Sequence, residues 1–208
     1  MELHDALSQI AEIRQQIAQT AVFRGYRSLT VGFSSLLGGL AAVVQAVWIP
    51  QPTEQLNSYL SLWIGTALVA LLVVGTEMGW RARSNPSPLA GEKTVLAIEQ
   101  FTPSLVAGGV LTAVIAERAS AVAWMLPGLW AIVFSLGVFA SYRLLPKAIF
   151  LVGLYYLCGG AVALTSGAGG AALSPWSMGL LFGGGQLLAA LVLYFTLERN
   201  VYVRTREA

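Results

Sequence analysis

"LAIEQFTPSLVAGGVLTAVIA", Leu96 to Ala116, sets a carboxylate, an amide and a proline directly ahead of an apolar run. Whether Glu99 stops at a membrane surface or is carried inside depends on where the helix containing it begins. Phe101 to Ala116 is 16 residues, about 24 Å of helix against a hydrocarbon core of about 30 Å. That is too short. Running the helix back through Thr94 supplies the missing length and draws Glu99 and Gln100 about two turns in from Lys93. A cytoplasmic helical segment over 88–100, opened by Pro88 in its first turn, leads into this span.

The surrounding composition makes a membrane the right solvent to argue from. Of 208 residues, 56% are hydrophobic and 11% charged, against about 25% charged in a soluble domain. Windows of about 20 apolar residues recur along the chain. They give an all-α integral membrane protein with six spans: Ser28 to Ile49, Asn57 to Trp80, the span ending at Ala116, Ala121 to Tyr142, Pro146 to Ser166, and Pro175 to Leu197. The organisation expected is a segment 1–27, a six-helix transmembrane bundle over 28–197, and a tail 198–208. With the N-terminus inside, eleven of the twelve Lys and Arg residues fall on the cytoplasmic side and only Arg118 outside, so both termini are expected in the cytoplasm. The layout resembles that of small bacterial inner-membrane proteins, and no cleavable signal is visible ahead of the first span. Trp48, Trp63, Trp124 and Trp176 fall near the outer boundary and Trp80 near the inner one, the positions of interfacial aromatics.

In the first segment Leu3, Ala6, Leu7, Ile10, Ile13 and Ile17 recur at helical spacing, which predicts an amphipathic helix. Its polar face is rich in Gln and its charges nearly cancel. A helix lying on anionic lipid carries Lys and Arg there, so residues 1–22 suit contact with protein: the chain's own loops, a second copy in a homo-oligomer, or a cytoplasmic partner.

Polar residues inside the apolar spans are the candidate sites. Gln100, Ser104, Gly108 and Thr112 follow at steps of four, a polar and small stripe of the kind that faces other helices. Glu99, as an intramembrane carboxylate, is a functional candidate by default; its structural alternative is an interfacial position, hydrated or paired with Arg143 or Lys147. Glu77 lies one turn before Arg81, the spacing of a simple ion pair. Gln45 and Gln186 read as interhelical hydrogen-bonding groups that could also line a pathway. Tyr155 and Tyr156, mid-span, need partners for their hydroxyls.

Glycine pairs mark packing. Gly38–Gly39, Gly108–Gly109 and Gly159–Gly160 occur in the first, third and fifth spans, each followed by a span opening near a tryptophan. This pattern is compatible with a helix hairpin repeated three times, an alternative to inverted repeats. Gly179 and Gly183 form a GxxxG pair, and Gly137 with Ser141 a small-xxx-small pair. Pro127–Gly128 is expected to kink or loosen the fourth span.

Missing residue types narrow the chemistry. His4 is the one histidine, Asp5 the one aspartate and Cys158 the one cysteine. No Ser-His dyad, aspartyl pair, bis-histidine haem, zinc site or CxxC motif can be assembled, and no P-loop is present. The expectations are therefore no enzyme, no metal, no cofactor and no nucleic-acid partner. Two functional readings remain: a small-solute transporter or channel with a polar site near Glu99 and Gln100, or a non-catalytic sensor or assembly component that uses its N-terminal helix.

Overall fold

The computed structural model describes residues 28–84, 88–165 and 171–198. The amphipathic segment 1–27, the tail beyond residue 198 and the side chains of Arg81 and Arg143 lie outside the described residues, so the readings placed on them rest on sequence alone.

Every regular element among the described residues is helical. Helix α1 is Ser28–Trp48, α2 Leu56–Ser84 and α3 Pro88–Arg118. Helix α3 is one continuous rod of 31 residues through Pro103, about 46 Å long, and it includes both Thr94 and Glu99. A 3-10 segment, Ser120–Met125, delivers the chain into α4, Leu126–Ala140. Pro127 occupies the first turn of α4. There its missing N–H removes no hydrogen bond, so the fourth span changes from 3-10 to α at this point. A second 3-10 turn, Ser141–Leu144, ends at an extended Leu145 ahead of Pro146, as steric crowding before proline demands.

Helix α5, Ile149–Thr165, has 17 residues, about 26 Å. The last rod starts as α6, Pro175–Met178, capped by the Ser174 hydroxyl, which accepts from Ser177 N–H. It widens into a π-helical segment, Gly179–Gly184, returns to α over α7, Gly185–Leu193, and widens again over Tyr194–Glu198.

Five helical stretches are long and apolar enough to cross a membrane, and α5 is a shorter apolar helix beside them. Leu29, Leu36, Leu72, Leu180 and Val106 are all exposed. An apolar exterior of this extent is suited to lipid, and the chain is a membrane protein.

The helices form an incomplete ring: α2 packs on α1, α1 on the last rod, the last rod on α5, α5 on α4, and α4 on α3. Between α3 and α2 the contact is marginal. Two buried clusters hold the ring. One centres on Tyr59, Trp63, Leu126 and Leu173, the other on Val31, Ala131, Val152, Tyr156 and Leu193, and Phe182 packs against both.

Glycine sets how closely the rods approach. A Cβ built on Gly160 would fall 2.7 Å from the Gly128 carbonyl oxygen, and one on Gly128 would fall 2.8 Å from that of Gly160. A Cβ on Gly38 would meet the Gly183 backbone at 3.2 Å. Small residues are what permit backbones to approach this closely within a bilayer. Gly159 and Gly179 also stand against neighbouring helices, at Leu181 and Ala42, whereas Gly39, Gly108 and Gly109 face open space.

Candidate functional site

Inside the ring is a cavity of about 700 Å³ to which helices α1 to α5 and the last rod all contribute. Each helix offers one face: Val31, Ser34 and Gly38 from α1; Phe101, Ser104, Leu105, Gly108 and Thr112 from α3; Met178, Phe182, Gln186, Ala189 and Leu193 from the last rod. Such spacings of three and four are a single side of an α-helix. Helix α2 gives the broadest wall, including Trp63, Thr66, Ala67, Leu71 and Val74. The size lies within the range of about 300–1,000 Å³ usual for small-molecule sites.

The lining is overwhelmingly apolar, and no Asp, Glu, Lys or Arg belongs to it among the described residues. One wall is aromatic. Phe101 and Phe134 meet edge to face with centroids 5.0 Å apart, Phe134 and Tyr156 are 4.7 Å apart, and Tyr156 and Phe182 are 5.6 Å apart. These four rings come from α3, α4, α5 and the π-helical segment, and all four line the cavity.

The π-helical segment is what brings Phe182 to that wall. A π turn places carbonyls out of the usual α register, and in an apolar medium such groups need other donors. Tyr155 donates to Leu180 O at 2.5 Å, Ser35 donates to Gly183 O at 2.8 Å, and the Tyr156 hydroxyl faces Phe182 O at 3.4 Å. Glycines make room for these donors. A Cβ on Gly184 would fall 2.7 Å from the Tyr155 hydroxyl, and one on Gly185 would run into the Tyr156 ring.

The cavity's polar groups are few, and most are already bonded within their own helices. Ser34 donates to Thr30 O, Thr66 to Leu62 O and Thr112 to Gly108 O. Thr112 also accepts from Nε1 of Trp130 at 2.8 Å. Gln186 lines the cavity, as does Tyr156. Ser141 is different: it lines the cavity, is buried, and its Oγ has no hydrogen-bond partner among the described residues.

The structure divides the expected polar set. Ser104 and Gln186 line the cavity. Gln100 is half-buried one turn from Ser104, and its buried Oε1 has no hydrogen-bond partner among the described residues. Glu99 is exposed and outside the lining, and no described residue forms an ion pair with it. Lys147 is exposed. Glu77 accepts a hydrogen bond from the Thr30 hydroxyl, which ties α2 to α1 near their shared end. Gln45 is fully buried; its amide donates to Leu173 O at 2.6 Å and its carbonyl accepts from Nε1 of Trp63 at 2.8 Å. Those bonds explain why Trp63 faces inward and is buried, while Trp48, Trp80 and Trp176 stay exposed: an indole N–H in an apolar medium seeks an acceptor.

From the sequence Ser141 is marked only as a packing partner of Gly137 and Tyr156 only as a hydroxyl in need of a partner, while Phe101, Phe134 and Phe182 are not marked at all. The nearest signal was the four-residue stripe on α3, three of whose members, Ser104, Gly108 and Thr112, line the cavity.

No family model matches the chain, and neither a curated protein nor a solved structure is significantly similar to it.

Proposed function

We propose that this membrane protein is a non-enzymatic transporter of a small, uncharged, largely apolar solute, which enters the central cavity sideways from the lipid between α2 and α3. The observation that carries the reading is the cavity itself, about 700 Å³, ringed by helices α1 to α5 and the last rod and lined without a charge among the described residues. An ion or charged metabolite would lose its hydration there with nothing to replace it. An apolar solute would exchange one apolar environment for another that is lined by aromatic rings.

The marginal α2–α3 contact supports lateral entry. In the spanning window of α2, 17% of residues are buried and in that of α3, 6%, against 33 to 44% in the other three long stretches. Helix α2 is thus held chiefly through α1, partly by Gln45 and Glu77. In the same proposal the chain makes six spans in a bacterial cytoplasmic membrane with both termini inside, an orientation that rests on the basic residues of the loops. The polar site shifts from Glu99 to Ser104, which lines the cavity, with Gln100 one turn before it. The sensor or assembly reading draws on residues 1–22 and gains nothing from the cavity.

Gly109 provides the test. It lines the cavity and a Cβ built on it meets nothing within 4 Å, so Gly109→Phe fills the space without displacing a helix. Leaflet-to-leaflet transfer of an uncharged amphiphile in reconstituted vesicles should fall at least tenfold in Gly109→Phe at unchanged thermal stability. Glu99→Gln should leave transfer within a factor of two. A Gly109→Phe protein that transfers as fast as the wild type would remove the cavity from the transport path.

A further inference from the structure

At one end the cavity is lined by Ser141, and Gln100 stands beside that lining without belonging to it. Three buried side-chain polar atoms lack a partner among the described residues: Tyr59 Oη, Gln100 Oε1 and Ser141 Oγ. The tyrosine belongs to the other end of the bundle, in the cluster with Trp63 and Leu126. Gln100 and Ser141 belong together. A Cβ on Gly137 would fall 3.0 Å from Ser104 Oγ and 2.8 Å from the Phe101 ring, which fixes the register of α3 against α4. One turn back along α3 from Ser104 is Gln100; one turn on from Gly137, across the antiparallel pair, is Ser141. The two orphaned groups therefore stand at one level, beside the 3-10 turn that α3 contacts.

A buried polar group without a partner costs free energy in an empty protein. The serine hydroxyls at 34 and 135 and the threonine hydroxyls at 66 and 112 avoid that cost by bonding a carbonyl three or four residues earlier. Ser141 Oγ does not. A single χ1 rotation redirects it into the cavity, and no existing hydrogen bond is broken by that rotation.

Chemistry selects the complement. Gln100 Oε1 can only accept, whereas the Ser141 hydroxyl both donates and accepts. The smallest uncharged group that donates to the first and accepts from the second through a single oxygen is a hydroxyl. A carboxylate would bring a charge into a lining that holds no Lys or Arg among the described residues, and an ammonium would meet no carboxylate. Resting on the transport reading above, we infer that the occupant of the cavity is an uncharged alcohol with an apolar body: its hydroxyl sits between Gln100 and Ser141 and its body lies along Phe101, Phe134 and Phe182.

Trp63 and Trp130 line the cavity and report its occupancy by fluorescence. The experiment titrates full-length protein in phosphatidylcholine vesicles with three bromine-labelled probes of one chain length: a hexadecanol, a hexadecanoic acid and a hexadecane. The expected result is saturable tryptophan quenching by the alcohol, at a mole fraction about tenfold below that needed for the acid or the alkane. Trp130→Phe should diminish it. Ser141→Ala and Gln100→Leu should each raise the half-saturating alcohol fraction about fivefold and leave the alkane unchanged. Ser141→Ala should also raise the thermal midpoint of the empty protein, since it deletes an orphaned group; a merely structural role for Ser141 would lower it.

Equal binding of alkane and alcohol, a preference for the acid, or an alcohol titration untouched by both variants would overturn the hydroxyl assignment and leave the cavity as a binding site. Failure of all three probes to quench saturably would overturn the transport reading itself.

Discussion

The α4–α5 seam and the α2–α3 seam are built from the same residue types and behave in opposite ways. On α4 and α5, Gly128 and Gly160 bring the two backbones so close that neither position has room for a methyl group. On α2 and α3, Gly65, Gly108 and Gly109 have nothing within 4 Å of where a Cβ would be. Glycine in a membrane helix is thus ambiguous: it can be a contact that welds two rods or a vacancy between rods that do not meet. A close approach gains dispersion contacts and backbone proximity, while a vacancy gains only volume. The closed seams, α4–α5 and α1 with the last rod, make the fold. The open seam leaves the cavity unfilled, and in the proposed function it is the entrance.

Gly160→Ala should break the closed side and give the largest effect. Its Cβ would meet the Gly128 carbonyl at 2.7 Å and the Ile132 backbone nitrogen at 3.1 Å, atoms that cannot turn aside as a flexible side chain would. Overpacking of this kind costs about 3 kcal/mol, the upper part of its usual range. It should be read as a fall in the midpoint of thermal or denaturant unfolding in mild detergent. An unfolding midpoint equal to that of the wild type would mean that α4 and α5 are not in backbone contact.

Gln45→Leu comes next. It retains most of the buried volume but leaves the Trp63 indole N–H and the Leu173 carbonyl without their present partners. Interhelical hydrogen bonds in membranes are modest individually, about 0.6 kcal/mol on average and up to about 1.7, so losing two at a fully buried site should cost about 2 kcal/mol. Because Gln45 helps to hold α2, the variant should also admit a spin-label or crosslinking reagent to Thr66 more readily. A change in stability alone would place Gln45 in the core without a role in keeping α2 in position.

These two positions show what sequence can and cannot convey here. The existence of the spans was legible because bilayer thickness sets a minimum apolar length, and that same length requirement extended α3 through Thr94 to include Glu99. The stripe from Gln100 to Thr112 was legible because helical period alone puts those residues on one face. Gln45 could be recognised as a bonding group, but its acceptor is a carbonyl 128 residues away, which no local pattern encodes. The cavity was less legible still. A void is the difference between the space the rods enclose and the side chains that fill it, so it belongs to no single segment. Glu99 drew attention because charge is rare in a span, yet one helical position, 100° of rotation, separates its exposed side chain from the half-buried Gln100.

Gly109→Ala carries the smallest effect and separates the two kinds of seam most sharply, because its sign is opposite. At Gly160 the added methyl has nowhere to go. At Gly109 it enters open space beside Leu105 and Ala113 on the cavity face of α3. What remains is the backbone term: glycine in a helix interior is less favourable than alanine by roughly 0.5–1 kcal/mol, since it has more freedom to lose on folding. Gly109→Ala should therefore stabilise the protein by about 0.5 kcal/mol in the same unfolding measurement that shows Gly160→Ala destabilising it. Such a result requires α3 to stand clear of α2 at this level. A destabilisation of 1 kcal/mol or more at Gly109 would instead mean that the α2–α3 seam closes in the bilayer, and lateral entry between these helices would have to be abandoned.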